Sequence, residues 1–423
     1  MSTMPTLADA VSCLSDYDPQ ALRVSDAQRV IERFVKPVEA IERVAIRAAL
    51  DRILALDVIS PIDVPGRDNS AMDGFAVRGA DLASDAESRF VVVGTAVAGK
   101  PLERGIGQGE AVRIMTGAVM PDGADTVVIQ EVVRLDAQTL YVPPGQQLGQ
   151  NRRLRGENLA AGKPALAAGK RLTPADLGLL ASLGVAEVPV RRRLRVAFFS
   201  TGDELRSIGE SLAPGQVYDS NRYTLHGMLR RLGVELIDMG VVGDSPEALE
   251  EAMRIAGESA DAIISSGGVS VGEADFTRQV MAKLGDVAFW KIAMRPGRPM
   301  AFGRVGEACY FGLPGNPVAV MITFYFFARD ALLRMMGATP QPQPYLRARA
   351  LDAMRKKPGR TEYQRAVVTV GNDGLMEVRV TGGQGSGVLR SMSEANCIVV
   401  LHHDQGSVRP GDPVDCLAFH GLI

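Results

Sequence analysis

The sequence has little that would suit a nucleic acid or a membrane. Aromatic residues make up 5% of the 423 residues, which leaves few rings on which bases could stack. The formal net charge is -2, so no overall field attracts a polyanion or an anionic bilayer. The apolar run at 318–328 is shorter than the roughly 20 residues that a spanning helix needs. We therefore expect neither a nucleic-acid partner nor a membrane anchor.

Cysteine is also scarce, which excludes a disulfide scaffold and a cysteine-rich zinc site. Cys13, Cys309, Cys397 and Cys416 are scattered singly, without paired spacing. They are expected to be reduced, mostly buried thiols. The first residues lack a basic segment followed by an apolar stretch, so no secretory signal is predicted and a cytoplasmic location is expected.

The common nucleotide and zinc motifs are missing as well. No G-x-G-x-x-G follows a strand pattern, and "GENLAAGKP" at Gly156 misses the phosphate-binding loop by one residue and has Pro164 after its lysine. His402 and His403 are adjacent in a strand pattern, so they would point to opposite faces, which disfavours a zinc site.

What the sequence contains indicates several domains, because 423 residues exceed a single core and suggest about two to four. Short Val-rich segments between about 57 and 142 predict a small β-rich domain. The segments "LRVAFFS", "AIISSGGVS" and "CYFGLPGNP" are apolar strands that run into polar or Gly-rich loops and alternate with helical stretches. This pattern predicts a parallel sheet covered by helices on both faces. From 341 onward, alternating strands predict a small β-barrel or sandwich.

Several local signals predict where helices begin. Ser25 and Gln28 have capping-box spacing ahead of a short helix that Pro37 would end. Thr173 and Pro174 fit a capped helix with proline in its first turn. The stretch at 40–58 shows strand-like alternation followed by helical periodicity.

Acidic side chains follow the strands of the predicted parallel sheet. Each alone could be a helix cap or turn residue, and Asp244 in particular precedes Ser-Pro at a helix start. Ligands bind outside the carboxyl ends of such strands, and carboxylates among glycines suit Mg²⁺ that shares phosphate oxygens with a substrate. The group therefore predicts a magnesium-phosphate site at this edge, built from Asp203, Glu204, Asp219, Asp244, Glu273 and Asp275.

Positive charge for such a site is available in "FWKIAMRPGRPMAFG", where Lys291, Arg295 and Arg298 precede or flank a Pro-Gly turn. Exposed cations are usually only solvated, so a binding role and solvation are equally open for these three. In "GLPGNPVAV", Asn316 can cap a helix whose first residue is Pro317, which would turn free N–H groups toward an anion. An ordinary capped helix explains that pattern equally well.

The stretch "PGRDNSAMDGFAVR" at 65–78 crowds polar groups ahead of an apolar segment. By itself it fits either a turn that starts a strand or a loop that holds a ligand.

Seven motifs taken in order resemble one family, the molybdopterin molybdenumtransferases of molybdenum cofactor synthesis, whose animal relative is the E domain of gephyrin. The resemblance covers nearly the whole chain and rests on "DNSAMDGFAV", "RIMTGAVMPDGADTVVIQE", "STGDEL", "YDSNRYTL", "SSGGVSVGEADFT", "FWKIAMRPGRPMAFG" and "GLPGNPVAV".

The resemblance implies an α/β multidomain fold with four regions. These are an elongated N-terminal domain (1–60 with 150–190), an inserted β-rich domain (61–149), a doubly wound molybdopterin-binding-type domain (191–340) and a C-terminal β-barrel-like domain (341–423). It also implies a homodimer with the active site between subunits. The polar stretch at 65–78 would then face a pocket built largely by the partner's doubly wound domain.

The activity implied by the resemblance is the insertion of molybdate into adenylylated molybdopterin with release of AMP, supported by Mg²⁺. Dedicated protein partners are implied too, namely the molybdopterin adenylyltransferase and molybdoenzyme maturation proteins.

The resemblance also assigns residues. Those matching catalytic positions are Asp68, Thr116, Glu204, Asp244, Asp275, Lys291 and Arg295, with Glu204, Asp244 and Asp275 as magnesium ligands. Those matching substrate or molybdate contacts are Ser70, Asp73, Gly267, Gly268, Ser270, Arg298, Pro299, Gly315, Asn316, Arg365 and Ser386.

The chain departs from the family pattern in three places. Arg295 and Arg298 stand where relatives often carry lysine, and Ala319 stands where many carry serine. Guanidinium groups bind oxyanions in a flatter, bidentate manner than ammonium groups do, so charge is kept while geometry changes.

Two other readings remain open from the sequence. A scaffolding protein would use the same fold to anchor a peptide, as gephyrin does, but it would need an apolar groove rather than clustered charges. A different phosphoanhydride hydrolase could share the doubly wound domain, although the flanking β domains disfavour it.

Overall fold

In the computed structural model, residues 6–12, 14, 17–269 and 274–422 are described, and for 274–276 only the backbone. Three six-stranded sheets and four two-stranded ladders make up the β structure of these residues. None of the helices in the same ranges combines the length and the apolar composition needed to cross a bilayer.

The central sheet carries the doubly wound arrangement. Four neighbouring strands of this sheet are parallel, in the spatial order Glu235–Val242, Arg195–Thr201, Ala262–Ser266 and Ala308–Leu313. Two antiparallel strands, Pro299–Val305 and Gly285–Lys291, extend it. The sheet is therefore mixed rather than wholly parallel, which the alternation of strands and helices did not predict. The parallel strands all end at the same edge, where their following loops meet.

Both faces of the central sheet are buried because its inner strands carry apolar side chains on both sides. Val196 and Phe198 belong to one hydrophobic cluster, whereas Ala197 and Phe199 belong to the other. The helices that cover the sheet or follow it are Ser220–Leu232, Pro246–Ser259, Ala274–Leu284, Pro317–Thr323 and Arg329–Met335, with a π-helix at Phe324–Ala328 between the last two.

The first helices pack on the central sheet although they lie far from it in sequence. Leu7–Val11 and Val24–Phe34 both contribute to the hydrophobic cluster that contains Phe302, the second helix through Ile31 and Phe34. The Phe34 and Phe302 rings meet edge to face, with 5.1 Å between their centroids.

The elongated part is formed by an outgoing and a returning segment. Three antiparallel ladders join them, pairing Ile41–Ala45 with Glu187–Arg191, Val58–Ile59 with Pro164–Leu166, and Asn69–Ser70 with Arg152–Arg153. Helix Pro174–Ser182 packs in the same region.

Between the two segments, the chain forms the inserted sheet. Its strands in spatial order are Thr126–Ile129, Gly74–Val77, Glu110–Ile114, Ser88–Ala96, Thr139–Val142 and Arg134–Asp136. Gly74–Val77 is buried throughout and lies between two neighbours, so the apolar end of "DNSAMDGFAV" is an inner strand.

The C-terminal strands close into a five-stranded barrel. Around the barrel they are Leu346–Ala350, Met376–Val380, Thr361–Val370, Cys397–Leu401 and Pro413–Ala418, which pairs back to the first. Closure leaves no free edge in the barrel. Short helices Leu389–Glu394 and Phe419–Leu422 accompany it.

The predicted α/β multidomain class, with an inserted β-rich part and a C-terminal barrel, is confirmed. The boundaries of the four predicted regions stay predictions.

Two local predictions were wrong. Helix Val24–Phe34 begins after Arg23, so Ser25 lies inside it and caps nothing. The stretch at 40–58 forms strand Ile41–Ala45 and only one 3₁₀ turn, Ile46–Ala48. The capped start at Thr173 is confirmed, because its hydroxyl accepts from the Asp176 N–H and the Asp176 carboxylate accepts in return.

Candidate functional site

A cleft of about 790 Å³ opens at the edge where the parallel strands end. One wall comes from the loops after those strands, including Thr201, Gly267 and Gly315. The rest of the lining comes from the Pro-Gly turn at 295–299 and from the C-terminal barrel, through Arg360 and the loop at 384–386. Of the substrate and catalytic residues that the sequence predicted, the cleft brings together Glu204, Gly267, Arg295, Arg298, Pro299, Gly315, Asn316 and Ser386.

A smaller cavity adjoins the cleft and shares Thr201 and Gly267 with it. Asp244 and Gly268 line this cavity together with Tyr310, whose hydroxyl lies 2.8 Å from that of Ser265. Asp244 is not the cap of the next helix, because Ser245 accepts from the Ala248 N–H and Pro246 begins the helix. The Asp244 carboxylate is therefore not required for capping.

Negative charge is concentrated around Asp244. Burial raises the pKa of its carboxyl, and the charges of Asp203 and Glu204 raise it further. The three carboxylates stand in one loop region, where the Asp244 N–H lies 3.3 Å from an oxygen of Asp203. A group of like charges in a cleft is typical of a site that holds a cation.

Three hydrogen-bonding atoms beside the cleft lack a partner among the described residues. They are Thr201 Oγ1, Asp219 Oδ2 and Asn221 Oδ1, and each is buried. The remaining atoms of Asp219 and Asn221 are held: Asp219 Oδ1 accepts from the Ser200 hydroxyl (3.0 Å) and the Arg222 N–H (3.1 Å). A buried polar atom without a partner costs free energy, so these atoms are suited to meet a ligand or water.

The orientation of the Asn221 amide is fixed by its partners. Its Nδ2 donates to the Gly315 carbonyl at 2.6 Å, which can only accept, and to the Ser266 hydroxyl at 2.8 Å. Asn221 Oδ1 must then be the free end. Because Asn221 and Gly315 both line the cleft, this hydrogen bond also ties the start of helix Ser220–Leu232 to the loop that carries Gly315.

Gly267 has a conformation that requires glycine. Its φ is +98°, and a Cβ there would lie 2.6 Å from the Thr201 carbonyl oxygen and 2.7 Å from Thr201 Oγ1. The close approach lets the loop after Ala262–Ser266 pass beside the end of Arg195–Thr201. The "SSGG" pattern therefore reflects a packing requirement at the floor of the cleft.

The Pro-Gly turn supplies positive charge to the lining of the cleft. Arg295 and Arg298 are exposed on the two sides of Gly297, whose φ is +89°. Lys291 does not line the cleft; it ends strand Gly285–Lys291, and its backbone pairs with Pro19 and Leu22. The predicted basic group is thus divided, with two of its three cations facing the cleft.

The predicted anion seat at the start of Pro317–Thr323 is smaller than expected. Asn316 occupies the cap position without a side-chain hydrogen bond. Pro317 has no N–H, and the Val318 N–H donates to the Ser386 carbonyl at 3.0 Å. This bond attaches the barrel loop to the helix start, so part of the expected N–H array serves the structure.

Arg365 is buried and lies outside the residues that line the cleft. Its guanidinium donates to the carbonyls of Gly383 (3.2 Å) and Gly385 (2.9 Å) and to the Ser391 hydroxyl (3.1 Å). Burial, and secondly the charge of Arg295, lowers its pKa to about 10. Arg365 therefore supports the loop that carries Gln384 and Ser386, and its role as a substrate contact stays a prediction.

The predicted residues of the inserted part form separate contacts away from the cleft. Asp68 pairs with Arg152 and accepts from the Arg155 N–H, which together lower the pKa of its carboxyl. Asp73 accepts from the backbone and hydroxyl of Thr116, at 2.7 Å each, and these bonds lower its pKa too.

Ser70 belongs to the same region, and its hydroxyl donates to the Met72 carbonyl. Nearby, Asn69 Oδ1 is buried without a partner among the described residues. Within one chain, then, the Asp68 and Asp73 carboxylates of the polar stretch are hydrogen-bonded to residues outside that stretch, and these contacts favour their ionised forms.

Ser270 and the side chain of Asp275 lie outside the described residues, so the predicted magnesium set is represented here by Glu204 and Asp244. In the described part of the chain, no cluster of three or more His, Cys, Asp or Glu side chains is arranged to hold a metal ion. Mg²⁺ commonly uses only one or two carboxylates with water and substrate phosphate. Burial raises the pKa of Asp244, and the nearby charges of Asp203 and Glu204 raise it further; a cation would offset both effects, so the carboxylate donors present fit it.

Sequence patterns missed several residues of the cleft. Thr201 lies inside the motif "STGDEL" and Asn221 inside "YDSNRYTL", so the same motifs could have indicated both residues. Arg360 and Gln384 come from the barrel, and no strand-end argument points to them.

Comparison with known proteins gives the family. Three family models match in order: the MoeA N-terminal region (domain I and II) at 22–184, a probable molybdopterin binding domain at 197–334, and the MoeA C-terminal region (domain IV) at 347–419. The molybdopterin molybdenumtransferase of Haemophilus influenzae is 41% identical over 397 residues, covering 93% of this chain and 98% of that protein. The chain belongs to the molybdopterin molybdenumtransferase family.

Other relatives agree with this assignment. The molybdopterin molybdenumtransferase of a Nostoc species is 37% identical over 413 residues, covering 95% of this chain and 94% of that protein. A crystal structure of a molybdopterin biosynthesis MoeA protein from Pyrococcus horikoshii OT3 superposes with a TM-score of 0.82 at 26% identity, covering 95% of this chain and all of that one. The family resemblance read from the seven motifs is confirmed.

Proposed function

We propose that this molybdopterin molybdenumtransferase family member inserts molybdate into adenylylated molybdopterin, releasing AMP and giving the molybdenum-loaded pterin. The observation that carries the proposal is the presence of both charges in one cleft, whose lining includes the guanidinium groups of Arg295 and Arg298 and the carboxylates of Glu204 and Asp219. The arginines of such a cleft can bind two anions. Its carboxylates and its unpaired acceptor oxygens can bind hydrogen-bond donors of the substrate or a cation.

Binding of the anions is assigned to Arg295 and Arg298. Neither side chain has an ion-pair partner among the described residues, so both can turn to a ligand. A guanidinium fork matches the flat edge of a tetrahedral oxyanion, and partial enclosure in the cleft strengthens the attraction. These residues would neutralise the charge of molybdate and of the phosphoanhydride that is cleaved.

Glu204 and Asp244 are assigned to holding Mg²⁺, with Asp275 as the third predicted ligand. When bound, Mg²⁺ supplies a positive charge that polarises phosphate oxygens. Burial and the neighbouring charges of Asp203 and Glu204 raise the pKa of Asp244, and a bound cation would favour its ionised form.

A homodimer is part of the proposal. Asp68, Asp73 and Thr116 lie on the inserted part, outside the cleft of their own chain, and would complete the cleft of a partner. Light scattering of the purified protein tests this, and a monomer at working concentration would contradict it.

The proposal also includes a cytoplasmic location and two kinds of protein partner. The molybdopterin adenylyltransferase would deliver the substrate, and maturation proteins of molybdoenzymes would receive the product.

The test mixes purified protein, adenylylated molybdopterin, Mg²⁺ and molybdate and follows AMP. We expect AMP release that depends on molybdate and that falls by at least about tenfold in Arg298→Ala, since a charge-assisted contact is lost. Arg379→Ala is the matched control, because Arg379 pairs with Asp352 on the barrel surface and does not line the cleft. AMP release that ignores molybdate would count against the proposal.

A further inference from the structure

The hydroxyl of Tyr310 is buried inside the central sheet, where a glycine leaves space for it. Tyr310 lies on strand Ala308–Leu313, is 1% exposed, and packs in the cluster that contains Phe199. A Cβ at Gly312 would lie 2.7 Å from the Tyr310 hydroxyl oxygen. Because Gly312 is nearer the carboxyl end of the strand, the hydroxyl points toward the edge where the loops meet.

Tyr310 and Ser265 share one hydrogen bond, which leaves one hydroxyl hydrogen without an acceptor. Their oxygens lie 2.8 Å apart, and either can be the donor. Burial raises the pKa of Tyr310 to about 12, so its hydroxyl keeps the proton at neutral pH. Two hydroxyls carry two hydrogens, and a single bond between them uses only one. Both side chains are buried, so the second hydrogen needs an acceptor, and no residue in the described ranges supplies one.

The small cavity beside these two hydroxyls has room for one water molecule. Its volume of about 10 Å³ is close to the lower limit for a single water. Thr201 Oγ1 faces it and is buried without a partner among the described residues. Polar cavities of this kind hold water, whereas apolar ones stay empty. Apart from Leu249 and three glycines, the residues of the lining carry side-chain oxygens, namely Thr201, Asp244, Ser265, Thr277 and Tyr310.

A magnesium ion does not suit this cavity. Mg²⁺ gives up its waters reluctantly and usually keeps several of them in an octahedron. That hydrated ion is much larger than the space of about 10 Å³. The cavity is therefore suited to a water molecule beside the Asp244 carboxylate, and the proposed cation needs the wider cleft.

We propose that the cavity holds one ordered water molecule that links the Ser265–Tyr310 pair to the Asp244 carboxylate. The water accepts the remaining hydroxyl hydrogen and donates its own two hydrogens to Asp244 and to Thr201 Oγ1. Three hydrogen bonds are typical of a buried water. Tyr310 is then a positioning residue, because it orients the water and the water orients the carboxylate. The water site does not depend on the proposed function, whereas the use of Asp244 as a magnesium ligand does.

A high-resolution crystal structure of the full-length protein, grown without added Mg²⁺, tests the water site directly. We expect one water within about 3 Å of the Tyr310 or Ser265 hydroxyl and of an Asp244 oxygen. In Tyr310→Phe, the water should be lost and the Asp244 carboxylate should turn. A dry cavity in the unmodified protein, or an Asp244 carboxylate that keeps its orientation in Tyr310→Phe, would overturn the proposal.

Calorimetry with Mg²⁺ alone gives a second readout, in solution. Tyr310→Phe removes one hydroxyl and keeps the ring, and we expect about fivefold weaker Mg²⁺ binding because Asp244 loses its water-mediated support. Tyr17→Phe is the matched control, since the Tyr17 hydroxyl accepts from Trp290 Nε1 at 2.9 Å and does not line the cavity. This control loses a hydrogen-bonded tyrosine hydroxyl but should keep its Mg²⁺ affinity.

Ser265→Ala separates the two hydroxyls. Without Ser265, the Tyr310 hydroxyl still has its hydrogen for the water, so the loss of Mg²⁺ affinity should be smaller than in Tyr310→Phe. A larger loss in Ser265→Ala would assign the water to Ser265 and overturn the role of Tyr310. Circular dichroism checks the folding of each variant, and the crystal structure of the unmodified protein decides on the water if Tyr310→Phe does not fold.

Failure of this inference and failure of the proposed function give different results. A protein that binds no Mg²⁺ would contradict the proposed metal site, while a water between Tyr310 and Asp244 in the crystal structure would still support the inference. Molybdate-dependent AMP release by a protein with a dry cavity would support the proposed function and overturn the inference.

Discussion

Asp244 illustrates how one side chain can oppose the stability of the fold. Its pKa is raised by burial and by Asp203 and Glu204, so the folded protein retains this proton to a higher pH than the unfolded chain does. Between the ordinary carboxyl pKa and the raised one, the folded state binds more protons, and the free energy of unfolding falls as pH rises. Above both values the loss is complete.

Asp244→Asn should therefore increase the free energy of unfolding at neutral pH and remove this part of its pH dependence. Urea unfolding between pH 4 and pH 8 measures both effects. Asp63→Asn is the control of opposite sign, because the Ala161 N–H and Arg155 lower the pKa of Asp63 and its ionised form stabilises the fold. A less stable Asp244→Asn at neutral pH would contradict this account of the site.

Arg365 is a second side chain with a clear expectation. Arg365→Ala removes the donor that satisfies two loop carbonyls and Ser391, which should lower the free energy of unfolding by about 2–3 kcal/mol. Because the loop at 384–386 lines the cleft, molybdate binding should weaken as well. Denaturant unfolding and calorimetry measure the two effects, and a loss of stability below about 0.5 kcal/mol would exclude the supporting role.

The loop after Ala262–Ser266 is tightly constrained at Gly267. Gly267→Ala would place a methyl group 2.6 Å from the Thr201 carbonyl, in addition to a left-handed backbone that costs about 1 kcal/mol. We expect a loss of at least about 3 kcal/mol of unfolding free energy and loss of ligand binding.

Gly240→Ala separates backbone strain from the steric clash. Gly240 has a φ of +79°, and a Cβ there meets nothing within 4 Å, so only the backbone cost of about 1 kcal/mol should appear. Equal losses for the two variants in urea unfolding would show that the close approach of the Gly267 loop does not matter.

Element prediction from the sequence worked where local chemistry decides the structure. Thr173, Pro174 and Asp176 contain a complete helix start, and the structure has it. Around Ser25 the local pattern was misleading, because Val24–Phe34 is fixed by burying residues such as Val30 and Phe34 against the central sheet. Tertiary packing decided that helix start, and a short sequence window does not contain it.

For the whole molecule, strand ends predicted the location of the cleft because parallel strands end at one edge. Thus Glu204, Gly267 and Gly315 come together as expected. Arg360 and Gln384 were not predictable in this way, since the closing of a barrel and its attachment to the Pro-Gly turn are long-range pairings. The stretch at 65–78 fits either a turn or a ligand loop by its residues alone, and the proposal that it completes a cleft requires a partner chain.

The most direct test of the central claim is a single-turnover reaction in which released AMP and pterin-bound molybdenum are counted together. The account predicts about one AMP for each molybdenum inserted, with neither product formed when molybdate is omitted. Molybdenum insertion without AMP, or AMP release without molybdenum insertion, would contradict it.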